Sequence, residues 1–102
     1  MPAPVSGSLN AVANGAVFVP AVNNGQGNFN VAVNVAANSV LSYVIQRSID
    51  QGTNWVTVTN GGVAPSFTSS ISEIYPEIQG GVQYRVAIVA YTSGSLSYQF
   101  SQ

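Results

Sequence analysis

From Asn28 to Val35 large apolar residues take every second position: Phe29, Val31, Val33 and Val35 fall on one side, the amides Asn28, Asn30 and Asn34 with the small Ala32 on the other. Successive side chains leave a β-strand in opposite directions, so a period of two marks a strand with one face buried. The pattern recurs. Val82, Tyr84, Val86 and Ile88 share a face of residues 82–91, and Leu96, Tyr98 and Phe100 share one in the closing segment. In residues 40–49 the expected core face is Leu41, Tyr43, Ile45 and Ile49, with Val44 turned the other way. Shorter strands are expected over residues 16–22, closed by Pro20, over 56–59, and over 66–75 with Phe67 and Ile71 inward. Gly, Asn, Ser and Pro clusters at 23–27, 60–62, 76–81 and 92–95 separate them. No segment sustains a helical period. Some seven short strands at roughly 8–12-residue spacing predict an antiparallel β-sandwich of immunoglobulin or fibronectin type III kind, with a small jelly roll as the alternative.

The chain of 102 residues is long enough for one domain, taken as residues 16–102. Residues 1–15 read as an extended arm, with Pro2 and Pro4 favouring polyproline geometry. The arm is either a loosely held terminus or a segment that reaches a neighbouring subunit through Val5, Leu9 and Val12.

At the centre stands Arg47-Ser48-Ile49-Asp50-Gln51-Gly52-Thr53-Asn54-Trp55. Asp50 can accept hydrogen bonds from backbone N–H groups, Gly52 supplies a positive φ, and Trp55 can fold its ring over the turn. Ser48, Asp50, Gly52 and Trp55 thus form a structural hairpin, which resembles the Asp-box hairpin that repeats in sialidase propellers. One copy in a chain too short for a propeller is a turn device.

Charge is scarce. Only Arg47, Asp50, Glu73, Glu77 and Arg85 ionise near neutral pH, 5% of the chain against about 25% in average proteins. With a net charge of −1, little repulsion opposes self-association. Two basic residues are too few for phosphate-backbone binding, so no nucleic-acid partner is expected. No apolar run approaches the ~20 residues of a membrane span, and Met1-Pro2-Ala3-Pro4 lacks the basic and apolar regions of a signal peptide.

The chemistry of catalysis is missing. There is no His, Cys or Lys, so the usual general base, thiolate, imidazole ligand and Ser–Lys pair cannot be built. No enzyme activity, cofactor or metal is expected; Asp50 with Glu77 lacks the Asp-rich loop of calcium sites. Arg47 lies in register with Leu41, Tyr43 and Ile45, and Glu73 with Phe67 and Ile71, so both point toward the apolar layer near strand ends. A charge there needs a partner or an exit to water. Arg47 is therefore expected to pair with Glu73, or with Glu77, at the rim of the core. The Asn-rich face of 28–35 could hydrogen-bond a glycan and Tyr75, Tyr91 and Tyr98 could stack on it, but the favoured explanation is amides that solubilise a sheet face and tyrosines that suit strands.

Tyr43, the run Arg47 to Trp55, Gly81-Val82-x-Tyr84-Arg85 and Ala90-Tyr91-Thr92-Ser93-Gly94 with Tyr98, ending Ser101-Gln102, resemble small structural proteins of tailed bacteriophages over residues 40–102. That resemblance implies a virion protein assembled in the host cytoplasm. Together with the charge-poor sandwich and the possible reaching arm, it leads to the expectation of a decoration (cement) protein on the head, bound to the major capsid protein or other virion proteins. A homo-oligomer is expected, a trimer being the simplest guess. The alternatives are a tail, collar or fibre-associated component, and a carbohydrate-binding module for adhesion to host glycans or mucus.

Overall fold

The computed structural model describes residues 4–23, 26–58 and 67–102. The expected turn at 60–62 therefore lies outside the described residues, as do Pro2, Asn24, Gly25, Thr59 and Ser66. The described residues form strands β1 (Val5–Leu9), β2 (Phe29–Val35), β3 (Val40–Ser48), β4 (Val56–Thr57), β5 (Ile71–Tyr75), β6 (Gln83–Ser93) and β7 (Leu96–Ser101), and no helix. One sheet has the order β1-β7-β2-β5, the other β4-β3-β6, and every pairing is antiparallel.

A further edge segment completes the second sheet. Residues 13–18 run beside β6: Gly15 N–H donates to Val86 O at 2.7 Å, and Phe18 and Tyr84 exchange both backbone bonds at 2.9 and 2.8 Å. Asn14 stands opposite Ala87 and Phe18 opposite Tyr84, so four steps on one side meet three on the other and the segment bulges. The continuous strand expected over 16–22 is thereby reduced to this irregular edge, because the bulge and Pro20 leave no unbroken ladder.

The strand order identifies which sandwich this is. In the immunoglobulin order the first two strands pair, whereas here the first strand pairs with the last. The pairs are nested: β1 with β7, residues 13–18 with β6, β2 with β5, and β3 with β4. That is a jelly roll, a long antiparallel hairpin rolled into two sheets. The antiparallel sandwich is the expected one; within it the jelly-roll alternative replaces the immunoglobulin arrangement.

Three local expectations change. Val5 and Leu9, placed in a free arm, are half-buried in β1 against the chain's own core, because β7 offers them a strand edge. Residues 67–75 split between sheets: Phe67 exchanges backbone bonds with Tyr43 of β3, while β5 pairs with β2. Ile49 is 64% exposed, since β3 ends at Ser48 and the turn carries Ile49 off the core face.

The core lies between the sheets. Phe29, Val31 and Val33 of β2, Leu41, Tyr43 and Ile45 of β3, Val82, Tyr84, Val86 and Ile88 in and beside β6, and Leu96, Tyr98 and Phe100 of β7 are all buried. Phe18 stacks on Phe100 with ring centroids 5.4 Å apart, and Phe29 meets Tyr84 at 4.6 Å. Aromatic pairs at these separations add to plain area burial, and they tie the edge segment 13–18 to the first sheet.

Candidate functional site

The hairpin between β3 and β4 carries Asp50 and has Arg47 at its base. Ser48 is buried; its Oγ donates to Asp50 Oδ1 at 2.7 Å and accepts the Gly52 N–H at 2.8 Å. Asp50 Oδ1 also accepts the Asn54 N–H at 2.9 Å, and Oδ2 accepts the Asn54 amide at 2.8 Å. These donors, the Asn54 backbone first, hold the Asp50 carboxyl at about 2, well below the usual carboxylate range. Gln51 and Gly52 take positive φ of 59° and 89°. Trp55 Nε1 donates to Gly52 O at 3.1 Å, which lays the ring back across the turn.

Two sites flank this hairpin. At the rim of the core, Arg47 Nε and Nη2 donate to Glu77 Oε1 and Oε2 at 2.8 and 2.9 Å. Tyr84 Oη donates to the same Oε1 at 2.7 Å, and the backbone N–H groups of Ile78 and Gln79 donate to Oε2 at 3.0 and 3.1 Å. The Glu77 side chain is 2% exposed, that of Arg47 35%. Burial alone would raise the Glu77 carboxyl, but Arg47, Tyr84 and the Gln79 N–H outweigh it and hold it at about 2. The same contacts push the Arg47 guanidinium up, the bond to Glu77 foremost. Burial and the bond to Glu77 push the Tyr84 phenol up.

The rim pair is thus Arg47 with Glu77. Glu73 stands opposite Val31 on β5, the edge strand, and its side chain is exposed without a hydrogen-bond or ion-pair partner among the described residues. An edge strand lets an inward-registered carboxylate turn out to water, and such a charge also discourages edge-to-edge pairing. Period-two reasoning had no signal for Glu77, which lies in the loop after Pro76, or for the Tyr84 hydroxyl beside it.

The second site is on the outer face of the second sheet. The Arg85 guanidinium lies 4.1 Å from the centroid of the Trp55 ring, and its Nε donates to Gln46 Oε1 at 2.7 Å. Its terminal nitrogens have no partner among the described residues. No buried side-chain nitrogen there lacks a partner, so these donors reach solvent. Burial without a carboxylate lowers the Arg85 guanidinium's affinity for its proton.

Of the remaining candidates, Val12 is 66% exposed, unlike Val5 and Leu9. Tyr98 is buried and its Oη accepts the Ala16 N–H at 2.7 Å, while Tyr75 and Tyr91 pack against the core. No aromatic platform for sugar stacking is formed by these three. Among the described residues no three His, Cys, Asp or Glu side chains gather as a metal site. A groove of about 510 Å³ beside the hairpin is lined by Arg47, Ile49, Asp50, Asn54, Val56 and Val58, but its carboxylate and guanidinium are both engaged internally. The chain matches no family model, no curated protein and no solved structure.

Proposed function

We propose that the chain is a non-enzymatic virion structural protein of a tailed bacteriophage, a head decoration subunit that binds the major capsid protein lattice. The observation that carries this reading is the surface. Arg47 and Glu77 neutralise each other at the rim and Asp50 is turned into its own loop, while aliphatic side chains such as Val56, Ile74 and Ile78 stand 67%, 69% and 77% exposed. Depletion of charge is the compositional mark of surfaces that become buried between proteins. A free monomer gains solubility from charge that this chain does not carry. The first sheet's outer face adds Ser6, Ser8, Asn34, Ser97 and Gln99, short and uncharged groups that suit a broad contact. A subunit that binds only the assembled shell lowers that shell's free energy by mass action, and copy number lets each contact be modest.

The test is immunogold electron microscopy of the encoding phage with antibody raised against the purified chain. Gold scattered over the head, with particles lacking the protein losing heat resistance, is the expected result. Gold confined to the tail or one vertex assigns the chain to a tail, collar or fibre component. Intact particles without gold, when the antibody works on a blot, overturn the decoration reading and leave an internal or a non-virion protein; retention on a glycan column would then point to an adhesion module.

A further inference from the structure

Among the described residues Arg47, Asp50 and Glu77 have their charged groups filled by internal partners, whereas Glu73 has none and Arg85 keeps its terminal nitrogens open, and these two have opposite sign. Glu73 stands exposed on the edge strand β5 of the first sheet, beside Ile74, which is 69% exposed. Arg85 lies on the outer face of the second sheet, held over Trp55 with its terminal donors open, and Val89 farther along β6 is 50% exposed. The two do not meet within the chain.

We propose that they meet between copies: the Glu73–Ile74 edge of one copy docks on the Arg85–Trp55 face of a second copy of this chain. The chemistry is complementary on both counts. A planar guanidinium already held by a ring and an amide has little freedom left to lose, and it presents a fork that a carboxylate can fill. The aliphatic neighbours supply apolar area, while the charge pair sets register more than affinity. The inward register of Glu73 disfavours simple strand addition at β5, so the contact is made by side chains. Each copy carries one donor patch and one acceptor patch, an arrangement that builds a closed ring when the rotation closes. The inference deepens the structural-subunit reading and rests on it, naming a second copy as one of its partners.

Sedimentation velocity of the purified chain over a concentration series, at low and moderate salt, tests it. Concentration-dependent association is expected, weakened at least about tenfold by Glu73→Arg and by Arg85→Glu alike. The double variant Glu73→Arg/Arg85→Glu should recover association, and so should an equimolar mixture of the two single variants. Arg85→Glu gives up the stack on Trp55; if it fails to fold by circular dichroism, Arg85→Gln replaces it and must weaken association likewise. A wild-type chain that stays monomeric throughout overturns the proposal. So do single variants that associate normally, or a double variant no better than the singles. The outcome is separable from the gold-labelling result: a monomeric chain that still decorates heads defeats this interface and leaves the virion role standing.

Discussion

Glu77 is the residue on which most of the chain's polar chemistry converges. A carboxylate 2% exposed survives in ionised form only if its oxygens are filled, and here Arg47, Tyr84 and two backbone N–H groups fill them. Replacing Arg47 with Met removes the charge that balances Glu77 and is expected to cost about 3–5 kcal/mol. Removing both with Arg47→Met/Glu77→Leu should cost less than the two single changes together, by more than about 1 kcal/mol. Urea unfolding of the four proteins measures this, and additive costs would show that the pair is not coupled. Acid provides an independent check. A carboxyl held at about 2 in the folded chain and at ~4.3 when unfolded stabilises the fold at higher pH, and that stability drains away as pH falls from about 5 to 2. The loss is on the order of 3 kcal/mol. Asp50 titrates in the same window, so the diagnostic result is that Glu77→Gln flattens part of the pH profile and leaves the Asp50 part. The sequence carried Arg47 into this position legibly, through its register with Tyr43 and Ile45. It could not choose between Glu73 and Glu77, because a partner is a matter of which loop folds over which strand, and nothing in a period of two records that.

Among the elements, β1 shows how a strand can hide in a sequence. Val5, Gly7 and Leu9 are an alternating set, but its middle member has no side chain to announce the pattern. The reason is Tyr98. Gly7 stands opposite it on β7, and a Cβ at Gly7 would lie 2.6 Å from its hydroxyl oxygen, while one at Gly15 would lie 2.8 Å from its ring. Tyr98 then passes between the two N-terminal segments and accepts the Ala16 N–H. Gly7→Ala should therefore destabilise the chain by about 1–3 kcal/mol, as an overpacked site does. Tyr98→Phe alone should cost roughly 1 kcal/mol for the lost acceptor, and combined with Gly7→Ala it should recover part of the glycine's penalty. Thermal unfolding of the three variants decides this; a double variant that pays the full sum would mean the tyrosine yields elsewhere. The β3–β4 hairpin is the opposite case, legible because Ser48, Asp50, Gly52 and Trp55 act on neighbours within a few residues. Distance along the chain, more than burial, separates what could be read from what could not.

For the whole molecule, the nested order has consequences for how the fold forms. Alternation told which side of β2, β6 and β7 and most of β3 is buried, and that sufficed for a sandwich, yet immunoglobulin and jelly-roll chains share that pattern and differ only in long-range partners. In the nested arrangement one pair is local, β3 with β4, and each pair outside it spans more chain: β2 with β5, residues 13–18 with β6, and finally β1 with β7. Closing an outer pair first would cost the loop entropy of nearly the whole chain, whereas inner pairs shorten the loops that remain. The hairpin should accordingly be formed in the folding transition state and the β1–β7 pair should come late. Gly52→Ala strains a φ of 89° at the turn and is expected to slow folding in proportion to the stability it removes, roughly 1–2 kcal/mol. Leu9→Ala, half-buried in β1, should instead speed unfolding and leave the folding rate nearly unchanged. Trp55, the single tryptophan, reports both in stopped-flow fluorescence, with refolding on the order of milliseconds to seconds. If Leu9→Ala slows folding by the full measure of its destabilisation, the outer pair nucleates the sandwich, and the rolled hairpin describes its final shape but not its assembly.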